Sequence, residues 1–294
     1  MSARQWEKAL WKTQPHPDNY IPPDSFLSSL RKNPNFKPYT YWPLVLLSCA
    51  ITQHIATIFI FIAVFVRLNE RLLDPRVLLW VSAGCFFAGY MLWEVLSYSD
   101  LQVVYGTSNR TKVLKSSLLV FLALMGLSPV LRTLTAATSS DSIWAISACL
   151  FILNALLADY SSMKTGAQSQ ERLTSVISMN AAISSSVVLA SRLADDLAVF
   201  SLVLFAVHLF ALFPILRHRL QVIPKPLQAL LTVLVSAMCI TLTASLSISV
   251  AIIYSAVLFA VTFVAPGVLV WAQKHKNEIR GPWDVAVPRI NWPS

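Results

Sequence analysis

The stretch LVLLSCAITQHIATIFIFIAVFV, residues Leu44 to Val66, contains no charged side chain. An α-helix needs about 20 predominantly apolar residues to cross the hydrocarbon core of a bilayer. This run meets that length, and seven more candidates follow it, at 77–97, 114–131, 142–159, 173–191, 197–216, 227–245 and 248–271. The second carries one acid, Glu94, near its end, and the third follows Lys112 and Lys115 and runs to Pro129. The fifth is a weaker candidate, rich in Ser and Ala. The last two are nearly continuous, so the link around Ser245–Ser249 must be tight; one bent segment there would reduce the count to seven. The expected fold is an all-α polytopic transmembrane bundle of about eight spans.

Composition agrees. The 294 residues are 56% hydrophobic and 13% charged, with a mean hydropathy of +0.62; soluble domains carry about 25% charged residues. Long apolar runs, few glycines and prolines lying mostly outside the runs favour helices over the short alternating strands of a membrane barrel. The net charge of +9 does not form a basic stripe for nucleic acid. Instead, Lys and Arg sit singly or in pairs beside the apolar segments, as the positive-inside rule describes. With eight spans, 18 fall on the side of the termini and 5 on the other: Arg67, Arg71, Arg76, Arg132 and Arg192. Both termini are therefore expected in the cytosol, the Arg67–Arg76 loop being the one departure. The chain divides into a cytosolic amphipathic segment (1–43), the bundle (44–272) and a cytosolic tail (273–294). The first 43 residues are polar and proline-rich with no early apolar core, so the first span is expected both to target and to anchor. Cys49, Cys85, Cys149 and Cys239 are widely spaced inside apolar runs, and no Cys/His cluster points to a metal. No Gly-rich phosphate loop, DxD pair or catalytic triad stands out, so no cofactor and no catalytic residue is assigned.

Certain local sequences go further. Trp6-Glu7-Lys8 and Leu10-Trp11 precede Gln14-Pro15-His16 and Pro17-Asp18-Asn19-Tyr20. Ser128-Pro129-Val130-Leu131-Arg132-Thr133-Leu134-Thr135 closes the third run, and Ser178-Met179-Asn180-Ala181-Ala182 and Ala190-Ser191-Arg192-Leu193 mark the fifth. Phe210-Ala211-Leu212-Phe213-Pro214 and Gly281-Pro282-Trp283-Asp284 complete the set. In this order the set resembles the PIG-C family, membrane subunits of the phosphatidylinositol N-acetylglucosaminyltransferase complex, from Trp6 to Asp284. The resemblance implies a multi-pass protein of the endoplasmic reticulum membrane, in the complex that begins glycosylphosphatidylinositol-anchor synthesis. That complex moves N-acetylglucosamine from UDP-GlcNAc to phosphatidylinositol. The resemblance further implies that a separate subunit carries the donor site, and that this chain is a non-catalytic scaffold that helps position the lipid. Its partners would be the catalytic subunit, other membrane subunits, phosphatidylinositol and bilayer lipids. Two rivals stand beside it. A lipid transporter or scramblase needs polar residues on one shared face; Asn154, Asp159, Asn180 and Arg192 are candidates, but no internal repeat is evident. A stand-alone transferase needs acids or histidines clustered within spans.

Individual residues admit two readings each. Arg132 is either an interfacial arginine snorkelling to headgroups or a bidentate contact for the inositol phosphate, with Ser128, Thr133 and Thr135 adding hydroxyls and Asn180 joining as a lipid contact. The topology places Arg132 near the luminal face, against a cytosolic reaction, unless the helix breaks at Pro129. Glu94, Asn154, Asp159, Asn180 and His208 read as interhelical hydrogen-bonding groups. The Ser/Ala-rich fifth span is a candidate central or partner-facing helix. Gln53-His54 reads as hydrogen-bonded structure rather than as a base. Trp6, Trp11, Asp18, Asn19 and Tyr20 form either a helix lying in the headgroup region or a docking surface for the catalytic subunit, to which Trp283 and Asp284 would add.

Overall fold

The structure, a computed structural model, describes residues 13, 30–31, 38–98, 106–135, 137–160, 173–220, 225–278 and 287–288. Two compact units emerge, Met1–Thr40 with Val268–Ser294, and Tyr41–Gly267. In the first, β1 (Leu30–Arg31) pairs antiparallel with β2 (Val287–Pro288), Leu30 opposite Pro288. There also the Tyr39 N–H donates to Gln273 Oε1 at 2.5 Å. The N- and C-terminal segments thus meet in one small body.

The second unit is helical. Its rods begin with α1 (Tyr41–Asn69), α2 (Pro75–Tyr98), α3 (Gly106–Thr133), α4 (Ser140–Leu157) and α5 (Leu173–Ala190). Next, α6 (Asp196–Val207) runs through a π-helical turn (His208–Leu212) into α7 (Phe213–Leu220). After α8 (Lys225–Ala244), α9 (Ile248–Phe259) runs through a second π turn (Ala260–Val264) into α10 (Ala265–Glu278), whose residues from Val268 on belong to the first unit. Among the described residues, eight apolar helical rods therefore stand at the eight expected places. Seven are long and apolar enough to cross a membrane, and the short one is the fifth, Ser175–Ala190. The bent-helix route to seven does not occur. The α8 helix ends at Ala244 and α9 starts at Ile248, the gap closed by Leu246 and Ser247 N–H bonds to the Thr243 carbonyl.

The core lies between α1 and α6. From Ala198 to Ala206 every α6 side chain is buried. A helix that is hydrophobic all round is a buried one. It touches α1, α2, α3 and α5, while α1 also meets α4, α8 and the second π turn. The central position therefore falls to α1 and α6, and α5 instead lies along α4. Its small residues explain the close approach: Ser178, Ala182 and Ser185 are buried one turn apart, and Ser185 Oγ donates to the Ser147 carbonyl at 3.0 Å.

Both π turns have the same cause. Each ends two residues before a proline, Pro214 or Pro266. Proline has no N–H, and its ring crowds the carbonyl four residues earlier. Widening the preceding turn relieves that crowding. The Phe213 N–H then reaches His208 O, and the Ala265 N–H reaches Ala260 O. The carbonyl that Pro266 leaves without a donor, Thr262 O, accepts from Ser48 Oγ at 3.1 Å, and Thr52 and Thr262 hydroxyls bond at 2.8 Å. The proline thereby pins the last rod to α1. The α1 helix itself ends in a Schellman turn: Leu72 N–H to Arg67 O (2.8 Å), Arg71 N–H to Leu68 O (3.2 Å), and Arg71 left-handed at φ 58°.

Candidate functional site

Polar side chains gather in two places. At the end away from Tyr41, the loop-facing arginines stitch helix ends together. Arg132 donates to the Ala194 carbonyl (3.3 Å) and pairs with Asp196 (3.1 Å). Arg192 donates to the Thr138 carbonyl, and Arg67 to the Leu242 carbonyl (3.0 Å) and to Ser245 Oγ. Thr135 bonds Ser191 at 2.5 Å. Ser128 and Thr133 donate back into their own helix, to Met125 O and Val130 O. The Arg132–Asp196 pair is more than two-fifths exposed on each side, so its contribution is about 1 kcal/mol or less. Ser128, Arg132, Thr133 and Thr135 thus share one end of α3. Asn180 stands apart: it is exposed on α5, eleven residues before Ser191, a rise of about 16 Å.

Midway along α1, where α4 ends and α5 begins, lies a different arrangement. His54 Nε2 is 2.8 Å from Asn154 Oδ1, and Asn154 Nδ2 donates to both the carbonyl and the hydroxyl of Ser178 at 2.9 Å. Ser178 Oγ returns a bond to Asn154 O at 2.8 Å. Because Asn154 Nδ2 is committed to Ser178, its Oδ1 must accept from His54, which fixes the proton on Nε2. Next to it, Gln53 Nε2 donates to Thr232 Oγ1 (2.9 Å) and Gln228 O (3.3 Å). Arg217 Nη1 donates to the Ala50 carbonyl (3.1 Å), and its guanidinium lies 5.7 Å from the Tyr160 ring centre. His54 meets the same ring edge-on at 5.7 Å. Tyr160, just past the end of α4, donates to Ala155 O at 2.7 Å, and burial pushes its phenol up to about 12 against the opposing pull of Arg217. It therefore stays a proton donor at neutral pH. Five rods converge on this seam: α1, α4, α5, α6–α7 and α8.

The seam uses Gln53, His54 and Asn154 in the hydrogen-bonding role expected from their positions. It does not gather Asn154, Asn180 and Arg192 onto one face: Asn154 is buried, Asn180 exposed and Arg192 bonded at the end away from Tyr41. Trp6, Trp11, Asp18, Asn19, Tyr20, Trp283 and Asp284 lie outside the described residues. Arg217 and Tyr160 escaped the sequence reading. Arg217 counted there only as a loop charge, yet it is 2% exposed. No spacing in the sequence links Arg217 or Tyr160 to the seam, since their contacts there are the Ala50 carbonyl and the His54 ring. Among the described residues no group of three or more His, Cys, Asp or Glu could hold a metal ion.

Comparison with known proteins places this architecture. The family described as GPI2, phosphatidylinositol N-acetylglucosaminyltransferase, matches over residues 6–284. The chain belongs to the GPI2 family. Relatives span nearly its whole length. A phosphatidylinositol N-acetylglucosaminyltransferase GPI2 subunit of Schizosaccharomyces pombe is 38% identical, over 98% of this chain and 88% of that protein. A Rattus norvegicus protein named as a subunit of the same transferase is 34% identical, over 96% and 92%. Its Homo sapiens counterpart is 33% identical over the same shares, 96% and 92%. No solved structure matches. The GPI2-family match takes in both places, with the SPVLRTLT segment at one and the His54–Asn154–Arg217 seam at the other.

Proposed function

We propose that this chain is a non-catalytic membrane subunit of the complex that transfers N-acetylglucosamine from UDP-GlcNAc to phosphatidylinositol, the first step of glycosylphosphatidylinositol-anchor synthesis. The observation that carries this is the near-full-length similarity to proteins named as that transferase's subunits. The chain holds the catalytic subunit at the endoplasmic reticulum membrane and helps position the lipid acceptor. Two features support a scaffold. The helix-end arginines are spent on stitching rods together, and the terminal segments join in a small unit of their own. That unit, with the aromatic residues Trp6, Trp11, Tyr20 and Trp283 in its sequence, is the docking element for the catalytic subunit. The tagged chain should bring down transferase activity from mild-detergent membranes, whereas the chain purified alone should show none; robust turnover by the lone chain would sink the scaffold role. Removing residues 1–43 should abolish most co-purification of activity while leaving the protein in the membrane. Unchanged co-purification would count against docking through that segment.

The chain crosses the bilayer eight times with both termini cytosolic, a topology supported by the placement of 18 of its 23 Lys and Arg residues. The short α5 crosses by pairing closely with α4. An acceptor site for N-glycosylation inserted at 70–73 is expected to be modified, and one inserted at 221–224 is not; the reverse pattern would invert the assignment.

A further inference from the structure

The polar residues of α5 fall on two sides. Ser178, Ser185 and Ser186 turn inward and spend their hydroxyls on Asn154 O, Ser147 O and Ala182 O. Asn180 and Ser184 are exposed, and among the described residues neither side chain has a hydrogen-bond partner. At 3.6 residues per turn, Asn180 stands opposite the buried line of Ser178, Ala182, Ser185 and Leu189. It is therefore the centre of the outer face. Val176 and Ser184, one turn before and after it, continue the same outward line.

That amide lies deep in the membrane. His54 is at the middle of the charge-free stretch Leu44–Val66. It bonds Asn154 at 2.8 Å, and Asn154 O takes the Ser178 hydroxyl at 2.8 Å. Asn180 comes two residues after Ser178, a rise of about 3 Å, so it shares the level of His54. Headgroups begin about 15 Å away, half the hydrocarbon thickness, and an asparagine is too short to snorkel that far. The neighbouring rods face outward differently. The exposed residues from Trp144 to Leu156 of α4, and from Trp80 to Val95 of α2, are all apolar, as contact with acyl chains requires.

What meets Asn180 follows from its own chemistry. Oδ1 accepts and Nδ2 donates, and an acyl chain offers neither a donor nor an acceptor. A phosphate or sugar cannot reach the bilayer centre without leaving the headgroup layer. Polar side chains are carried to that depth by spanning helices, whose backbone groups are satisfied internally. An amide or a hydroxyl on such a helix both donates and accepts, and it brings no charge into the hydrocarbon. The small Ser184 beside Asn180 lets a second helix backbone come close.

We infer that the outer face of α5 docks a transmembrane helix of another membrane subunit, which sets an amide or hydroxyl side chain against Asn180 at the bilayer centre. The inference rests on the proposed function, which supplies that subunit; the chemistry required of the helix comes from Asn180. This contact is separate from the docking of the terminal segments outside the membrane. It makes Asn180 a contact for a helix in place of a lipid.

The test uses the tagged full chain in its own membranes, solubilised in mild detergent. Asn180→Leu should insert normally yet bring down about tenfold less transferase activity than the unaltered chain, the size of one strong interhelical hydrogen bond. Asn180→Gln, which keeps the amide, should restore most of it. Undiminished activity with Asn180→Leu would overturn the contact. A photoreactive p-benzoylphenylalanine at Ser184 gives a second readout, independent of activity. Its adduct, identified by mass spectrometry, should lie in a membrane span of another subunit, within a turn of an Asn, Gln, Ser or Thr, and should be lost with Asn180→Leu. Adducts with lipid alone, or with a second copy of this chain, would overturn the inference. The two readouts tell the failures apart. Activity brought down by the unaltered chain, with only lipid adducts at Ser184, removes the α5 contact and leaves the subunit reading. No activity brought down, with an Asn180-dependent adduct to one span of another protein, removes the subunit reading and supports the docking face.

Discussion

Asn154→Leu is expected to destabilise the chain by about 2–4 kcal/mol and to loosen α4 and α5 from α1. The side chain is isosteric enough to avoid a large void, so the loss comes from hydrogen bonding. Three bonds disappear: His54 Nε2–H to Oδ1, and Nδ2 to the carbonyl and hydroxyl of Ser178. Interhelical side-chain bonds in membranes average only about 0.6 kcal/mol, rarely exceeding about 1.7. The larger part arises because His54, 5% exposed, keeps a proton with nowhere to donate it, and an orphaned buried donor costs roughly 1–3 kcal/mol. Asn180→Leu provides the contrast. Asn180 is an asparagine of the neighbouring helix but is exposed, and its replacement should change stability by no more than about 0.5 kcal/mol. Denaturant titration of both variants in the same micelles gives the comparison. Equal effects would mean that the seam does not tie the rods together.

That contrast also marks how far the sequence could be read. Length and hydropathy place every rod, because a long apolar run is visible in composition alone. They also single out α5 as the weak one, and α5 is the rod that falls short. What they do not convey is which face of a rod looks inward. In a bilayer the outside is as apolar as the inside, so the periodicity that orients a helix in a soluble protein is missing. Asn154 and Asn180 therefore look alike in sequence, though one is buried and the other exposed. The Ser/Ala content of α5 correctly signals close packing but not against what, and the centre went to α6, whose side chains are bulkier. Arg217 shows the same limit for charge. The positive-inside count needs only its side of the membrane, whereas its burial depends on Tyr160 and Ala50, which no spacing rule connects to it. The π turns were legible in principle, since Pro214 and Pro266 lie within apolar runs where a straight helix cannot continue.

Phe61→Ala is expected to have the largest effect on stability, about 3–5 kcal/mol. Its ring is fully buried and packs edge-on against Phe151 of α4 at 5.7 Å and Phe210 of the first π turn at 5.5 Å; those two rings lie 5.7 Å apart. Three rods thus share one aromatic node. Truncation removes dispersion contacts and leaves a cavity, the usual source of losses of that size for a buried Phe, with each aromatic pair adding about 0.5–1.5 kcal/mol. Water exclusion does not enter, because lipid tails are as apolar as the core; packing alone carries the effect. Phe87→Ala isolates that point. Phe87 is 60% exposed on α2, where acyl chains can fill the space left behind, so its loss should be small. If Phe61→Ala and Phe87→Ala proved equally mild in a denaturant titration, the α1–α6 centre would not be what holds the rods together. If Phe61→Ala alone unfolds the bundle, the seam loses its geometry with it, because Gln53 and His54 sit two turns before Phe61 on the same helix. Transferase co-purification should then fall in that variant as well.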